Sequence, residues 1–197
     1  PDMKVEGFVK MDEGISDDTL ETLVGDIVRY QSKDNSTMAA LQEHFTKLSG
    51  REATSVCGFS SKYKYSATCF VEGNFVIGAP EFVLRSDFAR YEDYISNISN
   101  KGYRVLAIAQ TSEVPNGGRL EAPARLLGLV FLDNPVRESA KETFEYFAAN
   151  GVEIKVISGD NPETVSHVAM EAGIIGGGHY VDARDLTDEQ SIYEAVE

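Results

Sequence analysis

Along this chain, apolar residues recur every third or fourth position in some stretches and every second position in others. The switches between the two periods divide it into elements. Met3 to Met11 alternates well enough for a strand, with Val5, Phe8 and Val9 apolar. Ser16 then caps a helix with Asp17 and Asp18 in its first turn, where the helix dipole favours negative charge. Leu20, Leu23, Val24, Ile27 and Val28 form its one apolar face. Asp34-Asn35-Ser36 starts a second helix, with Met38, Leu41, Phe45 and Leu48 expected inward and Gly50 just past its end. After a strand over Thr54–Phe59, positions 64 to 71 alternate, Glu72-Gly73-Asn74 supplies a turn, and Phe75 to Gly78 returns. Pro80 suits the first turn of a helix, so a hairpin runs straight into one; the chain is organised around this stretch. Phe88, Tyr91, Ile95 and Ile98 give a further helical face ending at Gly102, followed by an apolar strand over Arg104–Ala109. Ser112 to Pro123, with Pro115, Asn116, Gly117 and Gly118, reads as a loop.

From Leu126 the pattern changes. Leu126–Leu132 reads as a fully buried strand, Asp133-Asn134-Pro135 as a break, and Val136, Ala140, Phe144 and Phe147 as a helix stopping before Gly151. Ile154 to Ile157 is the next predicted strand, Ser158 to Pro162 a turn, and Glu163–Ala172 a helix ended by Gly173. Strand, helix, strand and helix at this spacing predict a βαβ unit of a parallel sheet. One more strand (Tyr180-Val181) and a helix from a Thr187 cap close the chain. The expected fold class is α/β: an antiparallel sheet flanked by helices, plus a partial parallel, Rossmann-like unit. The boundary between them is expected near residues 120–126, giving domains 1–125 and 126–197.

Composition narrows the function classes. The 197 residues are 42% hydrophobic and 25% charged, as in ordinary globular proteins, and suffice for a well-buried core. The net charge of -14 argues against nucleic acid or an anionic membrane surface as a partner. No run of about 18 apolar residues offers a membrane span, and no signal segment opens the chain. Cys57 and Cys69 fall on adjacent predicted strands without metal-ligand spacing; reduced core thiols and a disulfide are the two readings. The three histidines (His44, His167 and His179) have no spacing for zinc or a nucleophile triad. Gly176-Gly177-Gly178 lacks the following Lys-Ser/Thr of a P-loop. Opening on Pro1-Asp2 and stopping at Glu197 inside a helical pattern, the chain reads as a piece of something longer.

Two junctions could carry chemistry. Gly78-Ala79-Pro80-Glu81 is a strand-to-helix bend, or else a place where a ligand approaches free backbone N–H groups closely. Ser158-Gly159-Asp160 is a helix-capping turn, or else a phosphate-holding strand end, with Asp160 near a metal ion or organising the loop.

Together these elements resemble the nucleotide-binding domain of the P-type (E1–E2) cation-transporting ATPases. Phe59 and Lys64 match that family's Phe-Ser…Lys segment, and Gly78, Ala79, Pro80 and Glu81 match its Lys-Gly-Ala-Pro-Glu segment. The two segments line the adenine pocket in the family. Ile77 stands where the family has its lysine. Gly102-Tyr103-Arg104-Val105-Leu106-Ala107 fits the pattern Gly-x-Arg-x-Leu-Ala, whose arginine, here Arg104, neutralises nucleotide phosphates. Ser158-Gly159-Asp160 takes the place of Thr-Gly-Asp in the phosphorylation domain. Arg137 matches the arginine of the hinge Asp-x-x-Arg, whose Asp falls on Asn134, with Asp133 one residue earlier. Asn35 and Thr37 match a polar helix start that meets the nucleotide in relatives. On their own residues, Phe59 also reads as a core aromatic, and Arg104 and Arg137 as exposed.

The resemblance, running from Val5 to about Ile174, implies ATP with Mg2+ as ligand and the remaining domains of a pump as partners. Those are the transmembrane domain, the actuator and the rest of the phosphorylation domain; the piece itself is expected to be a monomer at the cytoplasmic face of a membrane. The family's phosphorylated aspartate, in Asp-Lys-Thr-Gly-Thr, does not occur between Pro1 and Glu197, nor does Gly-Asp-Gly-x-Asn-Asp, which holds magnesium. The chain is thus expected to contribute no catalytic residue and no metal ligand, and to bind ATP without hydrolysing it. The transported ion is decided elsewhere; calcium comes first, ahead of magnesium and manganese. The competing classes are a haloacid dehalogenase-type phosphatase, whose Asp-x-Asp nucleophile is missing, and a non-catalytic interaction domain.

Overall fold

The computed structural model describes residues 3–133, 135–136 and 138–196. Asn134 and Arg137, two of the positions matched to the hinge segment, lie outside them. The chain divides into two compact units, one built from residues 3–98 and 103–133, the other from 99–102 and the described residues of 135–196.

The larger unit is a six-stranded sheet in the order β1-β6-β5-β4-β3-β2: β1 (Lys4–Lys10), β2 (Ser55–Ser60), β3 (Tyr65–Phe70), β4 (Gly73–Gly78), β5 (Arg104–Thr111) and β6 (Arg125–Asp133). Every neighbouring pair is antiparallel. Both faces are covered, which is why β3 is buried along its whole length. On one face lie α1 (Asp17–Val28) and α2 (Ser36–His44), packing Leu20, Val24, Ile27 and Leu41 against Phe75, Ile77, Leu106, Ile108 and Val130. On the other, α3 (Pro80–Leu84), a 3-10 segment (Arg85–Arg90), α4 (Glu92–Ser99) and the loop before β6 cover Tyr65, Val76, Ala107 and Leu129. Fully burying one such aliphatic side chain contributes about 1.5–3 kcal/mol, so the two clusters carry the unit.

The helix starts follow their caps. Ser16 Oγ accepts the Thr19 N–H and Asn35 Oδ1 the Met38 N–H. A buried polar brace ties α1 to the sheet: Gln31 Nε2 donates to the Ala67 carbonyl and to Thr68 Oγ1, which itself donates to the Ile27 carbonyl. Asp26, fully buried, is matched by the Ser49 N–H and hydroxyl at 3.0 and 2.6 Å. The second helix ends at His44, short of the predicted face, and leaves Leu48 exposed.

The strand over 126–132 does not open a parallel unit: β6 lies between β1 and β5, antiparallel to both, and the larger unit extends through it. A strand buried on both faces looks the same in sequence whether its neighbours run parallel or antiparallel. The expected boundary at 125/126 therefore cuts through a paired strand rather than a linker.

The second unit holds α5 (Ala140–Ala149), α6 (Pro162–Glu171) and α7 (Glu189–Val196). Ile154–Ile157 and Tyr180-Val181 are not strands, and among the described residues no parallel ladder forms. A strand needs a neighbour for its backbone hydrogen bonds, and the described residues of this unit provide none. Asp188, not Thr187, caps α7: its carboxylate accepts the Ser191 N–H. No helix among the described residues is long and apolar enough to cross a membrane.

Candidate functional site

The site is built where β2, β3 and β4 end together. Ser60 pairs with Tyr65, and Tyr65 pairs with Gly78, so three strands finish level with one another. Between β2 and β3 the chain makes one turn, closed by the Lys64 N–H on the Ser60 carbonyl at 2.7 Å. Lys64 leaves that turn in the left-handed region at φ 54°, unusual for a residue with a side chain. Its carbonyl then accepts the Ala79 N–H at 2.9 Å. A Cβ on Gly78 would stand 2.4 Å from the Lys64 carbonyl oxygen and 2.6 Å from Tyr65 Cα, so only glycine permits the approach.

This alters the picture of the junction. The Ala79 N–H is spent on Lys64 and Pro80 has none to offer, so these two positions do not present the free backbone donors expected beside Gly78. The helix that follows spans five residues, with Glu81 half-buried in its first turn. What Gly78 and Ala79 supply is close packing of two strands, not an anion-binding helix mouth.

Phe59 lies just before the turn, 49% exposed, in a stretch where the β2–β3 register shifts between Cys57 and Ser60. It is therefore not a core aromatic. The structure brings Phe59, Lys64, Gly78 and Ala79 to one end of the sheet. Arg104, half-buried, begins β5 opposite Leu132; Ala107, three residues on, pairs with Gly78. Arg104 thus stands at the same end of the sheet, about 10 Å further along its strand.

Ile77 is 3% exposed and belongs to the cluster beneath α1 and α2. The position where the family carries a lysine is here an apolar part of the core. Beside it on β3 stands Ser66, paired with Ile77 and 1% exposed. It is a polar residue at an inward position of a strand buried on both faces. Thr68, at the next inward position, is fully satisfied by Ile27 and Gln31.

The remaining candidates have local duties. Asn35 caps α2, and Thr37 Oγ1 lies 3.3 Å from Met3 Sδ. Ser158, Gly159 and Asp160 are exposed in the second unit, where Ser158 Oγ accepts the Asp160 N–H and Asn161 caps α6. Cys57 and Cys69 are free thiols, and burial pushes both above the ordinary thiol pKa, which disfavours a nucleophilic thiolate. Among the described residues no cluster of His, Cys, Asp and Glu could hold a metal ion.

An antiparallel sheet covered by helices on both faces, with a glycine-locked hairpin end, defines an α/β domain. Comparison with known proteins then gives the family. The chain is 34% identical over 200 residues to the "Calcium-transporting ATPase CtpE" of Mycolicibacterium smegmatis, covering 99% of this chain and 24% of that protein. It is 30% identical over 198 residues to the "Probable cation-transporting ATPase exp7" of Streptococcus pneumoniae, covering 99% and 25%. These matches make the chain a segment of a P-type ATPase, spanning about a quarter of the length of those relatives. A solved zinc-transporting PIB-type ATPase superposes at a TM-score of 0.49 with 18% identity, over 88% of this chain and 26% of that one. No protein-family model matches the chain.

Proposed function

We propose that this chain is the ATP-binding segment of a P-type pump that couples ATP hydrolysis, through an aspartyl phosphate, to cation transport. The sheet unit is its nucleotide-binding domain and residues 135–197 belong to its phosphorylation domain. ATP enters with Mg2+, whose ligands come mostly from outside this segment. Phe59 stacks on the base. Lys64 and Arg104 face the phosphates, and Gly78 and Ala79 shape the pocket wall. Arg137, Ser158, Gly159 and Asp160 are further nucleotide contacts, and Asn35, Thr37 and Glu81 are weaker ones, since the observed bonds of Asn35 and Thr37 already serve local structure. The partners are the pump's transmembrane domain, its actuator and the rest of its phosphorylation domain. The segment lies at the cytoplasmic face of the membrane and is itself a monomer. Calcium is the first candidate ion, being named for the M. smegmatis relative.

One observation carries this reading. The exposed Phe59 and the left-handed Lys64, far apart from Gly78 in a linear sense, are drawn to one sheet end by the Lys64–Ala79 hydrogen bond. Isothermal titration with Mg-ATP tests it. Saturable binding is expected, and Phe59→Ala should weaken it by the ~1–3 kcal/mol of a lost base stack, with Lys64→Ala also weakening it. If both variants bind like the parent, the pocket is elsewhere. No phosphoenzyme should form from radiolabelled ATP, because the segment lacks the acceptor aspartate; labelled protein would overturn that part.

A further inference from the structure

Resting on the nucleotide reading above, we propose that Ser60 is a positioning residue of this site, setting where Phe59 and Lys64 stand. The β2–β3 ladder cannot do so, because its register breaks between Cys57 and Ser60, the stretch that contains Phe59. Regular pairing resumes only at Ser60, opposite Tyr65. Ser60 then closes the following turn twice: its carbonyl accepts the Lys64 N–H at 2.7 Å, and its hydroxyl accepts the Tyr63 N–H at 3.3 Å. That closure holds Lys64 at φ 54°, a conformation that a residue with a side chain keeps only where its surroundings impose it. From Lys64 the connection continues to β4 through the Ala79 N–H and the space left free at Gly78. Ser60 therefore adjoins the proposed stacking residue directly and governs the proposed cation through one turn. Without its hydroxyl the turn keeps one closure of two, and the Lys64 geometry is populated less of the time.

The test is a double-mutant cycle read by Mg-ATP titration on the whole chain. Ser60→Val, which removes the hydroxyl and has the shape of the Ser60→Thr control, should weaken binding about fivefold, the equivalent of one ordinary hydrogen bond. Ser60→Thr, which keeps the hydroxyl, should bind within about twofold of the parent. In a Lys64→Ala background the Ser60→Val effect should shrink to under about twofold, because the hydroxyl acts through the turn that places Lys64 and that side chain is gone. Amide exchange in β3 and β4 should match the parent in all variants. The assignment is overturned if Ser60→Val is silent, if Ser60→Thr is equally impaired, or if Ser60→Val costs the same in both backgrounds. Those outcomes leave the nucleotide reading standing as long as the parent binds ATP and Phe59→Ala impairs it. A parent that binds no ATP removes both.

Discussion

The two units of this chain contain the same kinds of apolar segment and treat them in opposite ways. In the sheet unit, Ile108 on β5 is 0% exposed, with strands on both sides and covered faces above and below. In the second unit, Ile157 ends an equally apolar run, Ile154-Lys155-Val156-Ile157, and is 96% exposed. Val152 and Val156 are about half exposed beside it. An open cleft of about 400 Å3 lies between Phe144, Ala148, Val152, Ile154, Ile174 and Ile175. The difference is not in the residues. Burying a strand requires neighbours to take its N–H and C=O groups, and among the described residues these are found in the sheet unit. The exposed apolar run stands out against the buried strands of the sheet unit, and the chain spans about a quarter of the length of the relatives it matches.

This contrast yields graded predictions. The largest effect is expected from Ile108→Ala, which should lower the opening free energy of the β4–β5 amides by about 3–4 kcal/mol in native-state hydrogen exchange. A loss below about 1 kcal/mol would mean that the core of the sheet unit is misplaced. Gly78→Ala comes next: its methyl meets backbone atoms at 2.4–2.6 Å, so a cost of about 2–3 kcal/mol is expected, together with loss of ATP binding. Unaltered stability and affinity there would show that the hairpin end is looser than described. The smallest effect belongs to Ile157→Ala, which should stay within about 0.5 kcal/mol in this chain. A large destabilisation at Ile157 would reveal a packing partner and erase the contrast.

Much of the sheet unit was legible beforehand because its cues are local. Ser16 and Asn35 cap as their residue types demand, the hairpin turn falls within one residue of its predicted place, and the loop over 112–123 is a loop. That loop is nonetheless pinned, with the Tyr65 hydroxyl donating to the Gly118 carbonyl and Arg85 Nη1 to the carbonyls of Leu120 and Glu121. None of these partners is within thirty positions of the other, so no pattern of spacing announces them. The same holds for the site. Phe59, Lys64 and Gly78 were singled out by a resemblance, while the left-handed Lys64, the spent Ala79 N–H and the Ser60 closure emerge only from the fold.

By itself, the sequence determined which segments are helical, where α1 and α2 begin, and that the chain resembles a nucleotide-binding piece of a P-type ATPase. Periodicity and capping act over a few residues and are written in order along the chain. Only the tertiary structure decided that β6 joins the antiparallel sheet between β1 and β5, and that Ile154–Ile157 forms no strand. Strand partnership is a contact between distant residues, and an apolar run carries no mark of which neighbour, or which direction, will satisfy it.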